Sequence, residues 1–149
     1  MQFTTTFLTA LLSATALAVP TPATDEVSMM AAAPEWTIAG MKRTCDGGDN
    51  SCTWNFKVDT HLAPATTCSF TVKRGAKPAS QTDTSNNKCG PYTVGSGWDG
   101  SFGPGQGFTV LSVADYGKKL IVWPGYTDKE LAGGKVVSPN KAYAPQNLP

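Results

Sequence analysis

Acid–base or nucleophilic chemistry in this chain would have to pass through very few side chains. His61 is the sole histidine, so a Ser-His-Asp or Cys-His relay would have to use it. It follows Asp59-Thr60 and precedes Leu62-Ala63-Pro64, a loop composition, and it reads as a surface residue. The four cysteines, Cys45, Cys52, Cys68 and Cys89, form an even set that reads as two disulfides, which leaves no thiol for an imidazole to activate. Glycoside hydrolysis needs two converging carboxylates. Asp99 and Asp128 are the candidates, but Trp98-Asp99-Gly100 has the composition of a turn and Asp128 suits the first turn of a helix. Asp46, Asp49 and Asn50 lack the spacing and the bidentate Glu of a calcium loop. Zinc sites favour two to four residues between cysteines, and six separate the closest pair here. Gly103-Pro104-Gly105-Gln106-Gly107 precedes neither a Gly-Lys-Ser/Thr triplet nor a helix, so it is no phosphate loop. The reading is a protein with no catalytic residue, metal or cofactor, whose function lies in a binding surface.

That surface is sought in Gly95–Asp128. Six glycines fall within Gly95–Gly107, with Trp98, Phe102 and Phe108 spaced through and just after them, and Trp123 and Tyr126 following. A flexible linker would not carry such aromatics, so the stretch predicts a tightly folded, ordered loop. Trp98, Asp99, Phe102, Gln106, Trp123 and Tyr126 are the candidate recognition residues. Trp98, Trp123 and Tyr126 could also stack against sugar rings, which makes a carbohydrate- or cell-wall-binding module the alternative reading and a hydrolase a more distant one. Packing in a small core is the competing use for all of these aromatics.

The elements that must position this stretch are strands. Cys52–Val58 alternates, with Cys52, Trp54, Phe56 and Val58 on one face, and Cys68–Arg74 repeats the pattern through Phe70 and Val72. A period of two marks half-buried antiparallel strands. Trp36–Thr44, Tyr92–Val94 and Lys135–Ser138 are further candidates. Phe108–Ala114 and Lys119–Trp123 read as a pair turned at Asp115-Tyr116-Gly117-Lys118, with Gly117 at the positive φ, and as central strands because both faces are apolar. Thr127-Asp128-Lys129-Glu130 is a capping box, stopped at once by Gly133-Gly134, so it predicts one helical turn over Asp128–Ala132. The proline-containing tail Pro139–Pro149 is expected to lie extended over the surface. The fold class is all-β: a small antiparallel β-barrel, with a β-sandwich as the alternative.

Met1–Ala18 reads as a secretory signal peptide, with an apolar run over Phe7–Leu17 and Ala16-Leu17-Ala18 as cleavage site. Residues 19–35 read as a flexible arm or propeptide and 36–149 as a single β domain, secreted and extracellular. All 12 Lys and Arg lie in that domain, while three of the 11 acidic residues precede it, so it carries about +4. So small and scattered an excess argues against nucleic acid as a partner, and no hydrophobic run argues for membrane insertion. An oxidising compartment favours disulfides. Of three connectivities, Cys45–Cys52 is favoured because Asp46-Gly47-Gly48-Asp49-Asn50 has a tight-turn composition, leaving Cys68–Cys89. Loop-closure entropy makes them worth about 2.5 and 3.5 kcal/mol respectively.

Several blocks carry a likeness: Trp36-Thr-Ile, Arg43-Thr-Cys, Cys52-x-Trp-x-Phe, Gly97-Trp-x-Gly-x-Phe-Gly-Pro-Gly-x-Gly-Phe108 and Ile121-Val-Trp-Pro-x-Tyr-Thr-Asp-Lys129. With these, the domain from Trp36 to Pro149 resembles small secreted proteins of filamentous fungi described as elicitors, or hypersensitive-response-inducing proteins, of plant immunity. The resemblance implies a secreted two-disulfide β-barrel that triggers plant defence. Its partner would be a plant cell-surface receptor or a cell-wall component, with a homodimer among the assemblies allowed. It implies no catalytic residues.

Overall fold

The computed structural model describes residues 33–149. The expected signal peptide and all but the last three residues of the expected arm lie outside them. Alternation of apolar residues builds the first sheet. In β2 (Ser51–Asp59) Cys52, Trp54, Phe56 and Val58 are buried, and in β3 (Thr66–Lys73) so are Cys68, Phe70 and Val72. Trp54 sits directly across from Phe70 in the ladder and stacks on it at 6.1 Å between centroids, while Phe56 meets the same ring edge-on at 6.4 Å.

β1 (Trp36–Cys45) pairs with β2, but its parity changes midway. Trp36 and Ile38 face the core, then Met41 and Arg43 do. The ladder passes from Ala39 opposite Lys57 to Lys42 opposite Asn55, so β1 carries one extra residue. Gly40, at φ 63°, lies in that bulge, where an unbranched backbone accommodates the left-handed conformation. The bulge turns Arg43 inward; on the parity of Trp36 and Ile38 it would face out.

The second sheet is built from β4 (Thr84–Cys89), β5 (Tyr92–Asp99), β6 (Phe108–Asp115), β7 (Leu120–Val122) and β8 (Gly125–Thr127). The tail adds β9 (Lys141–Tyr143) beside β1 and β10 (Gln146–Asn147) beside β7. The strand orders are β3-β2-β1-β9 and β10-β7-β6-β5-β4, with β8 paired to β6 beyond β7. Cys68–Cys89 fastens the β3 edge of one sheet to the β4 edge of the other, and Cys45–Cys52 closes the β1–β2 hairpin. On the opposite side the tail crosses from β9 to β10. Two packed sheets tied at both margins make a sandwich; no ladder runs between β3 and β4 to close a hydrogen-bonded barrel. Between the sheets Trp36 meets Tyr92 edge-on at 5.5 Å.

Four sequence expectations are corrected. Lys135–Ser138 is not a strand: after a 3₁₀ turn at Ala132–Gly134 the chain docks on the β1 bulge through Val137 N–H to Met41 O, 2.8 Å, with the Val137 side chain buried. The strands lie further on, in the tail. Tyr92–Val94 extends to Asp99, and β4, a polar Thr-Ser-Asn-Asn-Lys-Cys run at a sheet edge, carried no apolar signal. At the β6–β7 turn the positive φ belongs to Lys119 (55°), not Gly117, while the Asp115 carboxylate accepts the Lys118 N–H at 3.0 Å.

The capping box forms as expected and opens α1 (Asp128–Leu131). Glu130 N–H donates to Thr127 Oγ1 at 3.1 Å, and Thr127 N–H donates to Glu130 Oε2 at 2.8 Å. Glu130 Oε1 also pairs with Lys141 Nζ of β9 at 2.8 Å. Burial pushes the Glu130 carboxyl up, but the Lys141 ammonium and the Thr127 N–H outweigh it and hold it below its ordinary value. Its folded pKa being depressed, the stability it contributes is present above the unfolded value and is lost as pH falls through the folded one. Thr127→Ala is expected to cost about 1 kcal/mol, read as a lowered midpoint in urea at neutral pH.

Candidate functional site

Two regions emerge from the candidate residues, and one of them is architecture. Asp128, at the start of α1, accepts Arg43 Nη2 at 3.2 Å on one oxygen and the Trp98 indole N–H at 2.9 Å on the other. Its own N–H donates to Gly107 O at 2.9 Å. Arg43, 7% exposed, also donates to Ser80 O at 3.2 Å and lies 5.4 Å from the centre of the Trp54 ring. Trp98 N–H in turn donates to Asp83 at 2.9 Å. The node ties β1, β5, the glycine loop and α1 together. The loop glycines make room for it: a Cβ on Gly100 would fall within 2.2 Å of the Trp98 ring, and one on Gly107 within 2.4 Å of the Asp128 carboxylate. Trp98 therefore belongs to a clamp under the loop.

The second region is the outer face of the β4–β8 sheet. Register places Gly95 opposite Ser112, Gly97 opposite Val110 and Asp99 opposite Phe108. Above this strip stand Trp123, 50% exposed, and Tyr116, 63% exposed. At the loop end Phe102, 74% exposed, packs on Phe108 at 5.8 Å. The loop itself is ordered by two successive turns, Gly103 N–H to Gly100 O and Gln106 N–H to Gly103 O, both 3.1 Å. Of the six candidate recognition residues, the fold brings Asp99, Phe102 and Trp123 to this one face, with Gln106 exposed on the adjoining loop. Tyr126 is a correction. It is 2% exposed, because β8 sets it opposite Thr109 on the inner face, and burial pushes its phenol well above the ordinary value. Tyr116, which the sequence places only in a turn, joins this face.

The candidate chemistries resolve as follows. Asp99 is at the surface, where the Ser101 hydroxyl and N–H hold its carboxyl below the usual range. Asp128 is engaged in the clamp, so the two carboxylates do not converge. His61 has neighbours that its sequence context did not reveal: Thr37 Oγ1 at 2.8 Å from Nε2 and Asp59 Oδ2 at 3.7 Å from Nδ1. The order carboxylate–imidazole–hydroxyl is that of a relay, but it lies open on the surface, with the His61 side chain 51% exposed. Asp49 grips the 3₁₀ turn Ala79–Gln81 through Ser80 N–H at 2.8 Å and Ser80 Oγ at 2.5 Å, and Asp46 Oδ1 accepts Asn50 N–H at 2.6 Å. Among the described residues the trio Cys45, Asp49 and Cys52 has metal-compatible proximity, but both sulfurs are joined in a disulfide.

Comparison with known proteins places these features in a family. A curated relative described as "Effector TSP1", from Hypocrea virens, is 57% identical over 150 residues, covering 100% of both chains. The family model described as Effector TSP1 matches residues 37–148, the whole sandwich with both disulfides, the glycine loop and its clamp. On that match across nearly all of the folded domain, the chain belongs to the Effector TSP1 family.

Proposed function

We propose that this chain is a secreted, non-catalytic fungal effector that plants perceive through the folded surface around the glycine loop, with a defence response as the outcome. The observation that carries the reading is the pinned loop: its backbone and underlying clamp are fixed by hydrogen bonds, yet it presents Phe102, a large apolar side chain, to solvent. Ordering such a loop lowers conformational entropy without burying its most apolar residue, an arrangement that suits recognition better than stability. Family membership supports the effector class. The two disulfides support export to an oxidising compartment.

The test is infiltration of leaf tissue with purified protein. Phe102→Ala, a lost apolar anchor, is expected to raise the dose needed for the response about tenfold, and Asp99→Ala and Gln106→Ala to raise it less, all with unchanged melting temperature. Full activity in all three would move the recognised surface elsewhere. A synthetic Gly95–Asp128 peptide is expected to be inactive, since it lacks β1 and Arg43. Hydrolysis of a polysaccharide or ester that disappears in His61→Ala would refute the non-catalytic reading.

A further inference from the structure

We infer that the outer face of the β4–β8 sheet holds a binding trough for a neutral, extended β-linked polysaccharide chain of the glucan or chitin type. Two adjoining depressions, about 310 and 300 Å³, share Ser85, Gly95, Ser112 and Trp123 and so form one continuous channel. Its floor is flat because Gly95 and Gly97 place no side chain where neighbouring strands would. At Gly95 the space is already taken, since a Cβ would lie 2.8 Å from Ser112 Oγ; at Gly97 it is open, with nothing within 4 Å. Trp123 and Tyr116 stand exposed beside this floor.

The chemistry selects the occupant. Among the described residues no Asp, Glu, Lys or Arg side chain lines either depression. Lys88, at the rim, is turned onto Thr93 Oγ1 at 2.9 Å. That single ammonium, already engaged by Thr93, is too little to hold a polyanion such as nucleic acid or a uronic acid polymer. The polar side chains of the aliphatic lining are hydroxyls and an amide, beside Leu148 and Pro149 of the tail, and among the described residues those of Ser85, Asn86 and Ser112 make no hydrogen bond. Exposed indole and phenol faces beside unengaged hydroxyls match a pyranose chain, whose rings offer apolar C–H faces and equatorial hydroxyl edges. On β6 the lining runs from Val110 through Ser112 to Ala114, about 13 Å, long enough for two or three sugar units. The sugar-stacking set expected from sequence (Trp98, Trp123, Tyr126) is thus replaced by Trp123 and Tyr116, since Trp98 is engaged in the clamp and Tyr126 is buried.

The experiment is titration of the purified protein with cellohexaose, laminarihexaose and chitohexaose by calorimetry and tryptophan fluorescence, with a polygalacturonate oligomer as the charged control. Binding of at least one neutral oligomer and not of the control is expected, and which oligomer binds identifies the source polymer. Trp123→Ala is expected to weaken binding at least tenfold. Gly97→Val is expected to do the same by filling the trough, and because its side chain enters open space on a strand it should leave the melting temperature unchanged or raised. A fold defect would lower affinity and stability together, so the second variant separates occlusion from misfolding. Failure of all three neutral oligomers to bind, full binding in Gly97→Val, or a Trp123-dependent self-association in place of sugar binding would overturn the inference. Leaf perception through the loop is read separately, since neither variant alters Asp99, Phe102 or Gln106.

Discussion

Replacing Cys68 and Cys89 together by alanine is expected to remove roughly 3–4 kcal/mol of stability, out of about 5–15 for a domain of this kind. The bridge spans 21 residues of sequence, and closing a loop of that length restricts the unfolded chain by about 3.4 kcal/mol. Its place in the fold matters as much. It joins the β3 and β4 edges, between which no backbone ladder runs, so no hydrogen bonds replace it when it is cut. Both cysteines are buried, and their loss also empties part of the core. Removing Cys45–Cys52 should cost less, about 2.5 kcal/mol, because Cys45 and Cys52 are already ladder partners at the end of a hairpin. Urea unfolding of the two double variants beside the parent reads the order. A Cys68/Cys89 variant less destabilised than the Cys45/Cys52 variant would show that packing alone holds the sheets at that margin.

Local alternation made much of this architecture legible. Cys52–Val58 and Cys68–Arg74 each announce an inward face by a strict period of two, and both disulfides follow from turn composition and elimination. The capping box was readable because all of its partners lie within four residues. Failures came where the controlling contact is distant. β4 is polar because it is an edge strand; only its register with β5, itself bulged between Thr84 and Asn87, makes it a strand. The tail strands take their hydrogen bonds from β1 and β7, far away in sequence.

The candidate site follows the same division. Phe102 and Trp123 were marked by being aromatic among glycines, and both are exposed. Tyr126 carries the same local signal and is buried, because parity within β8, a three-residue strand with no periodicity to read, decides its face. Arg43 gave no signal at all. Its burial depends on one extra residue at Gly40 and on a carboxylate 85 positions later.

That distant pairing sets the second large effect: Asp128→Ala is expected to cost about 3 kcal/mol, roughly a 10 °C fall in melting temperature. Removing the carboxylate leaves the Arg43 guanidinium buried with only Ser80 O and the Trp54 face as partners, and an uncompensated buried charge is what makes breaking such a pair expensive. The side chain of Asp128 is 32% exposed, so water reaches part of the gap and the cost falls at the low end of the range for buried pairs. The Trp98 indole loses its acceptor as well, which loosens the loop above it. Two further variants separate these contributions. Asp128→Asn keeps a carbonyl for one donor but removes the charge, so it should recover only a minor part of the loss. Arg43→Met combined with Asp128→Ala leaves no charge to desolvate, so the double variant should be more stable than Asp128→Ala alone. Thermal unfolding of the three beside the parent decides the matter. A double variant no more stable than Asp128→Ala alone would mean that Arg43 is solvated and that the node holds by the Trp98 hydrogen bond instead.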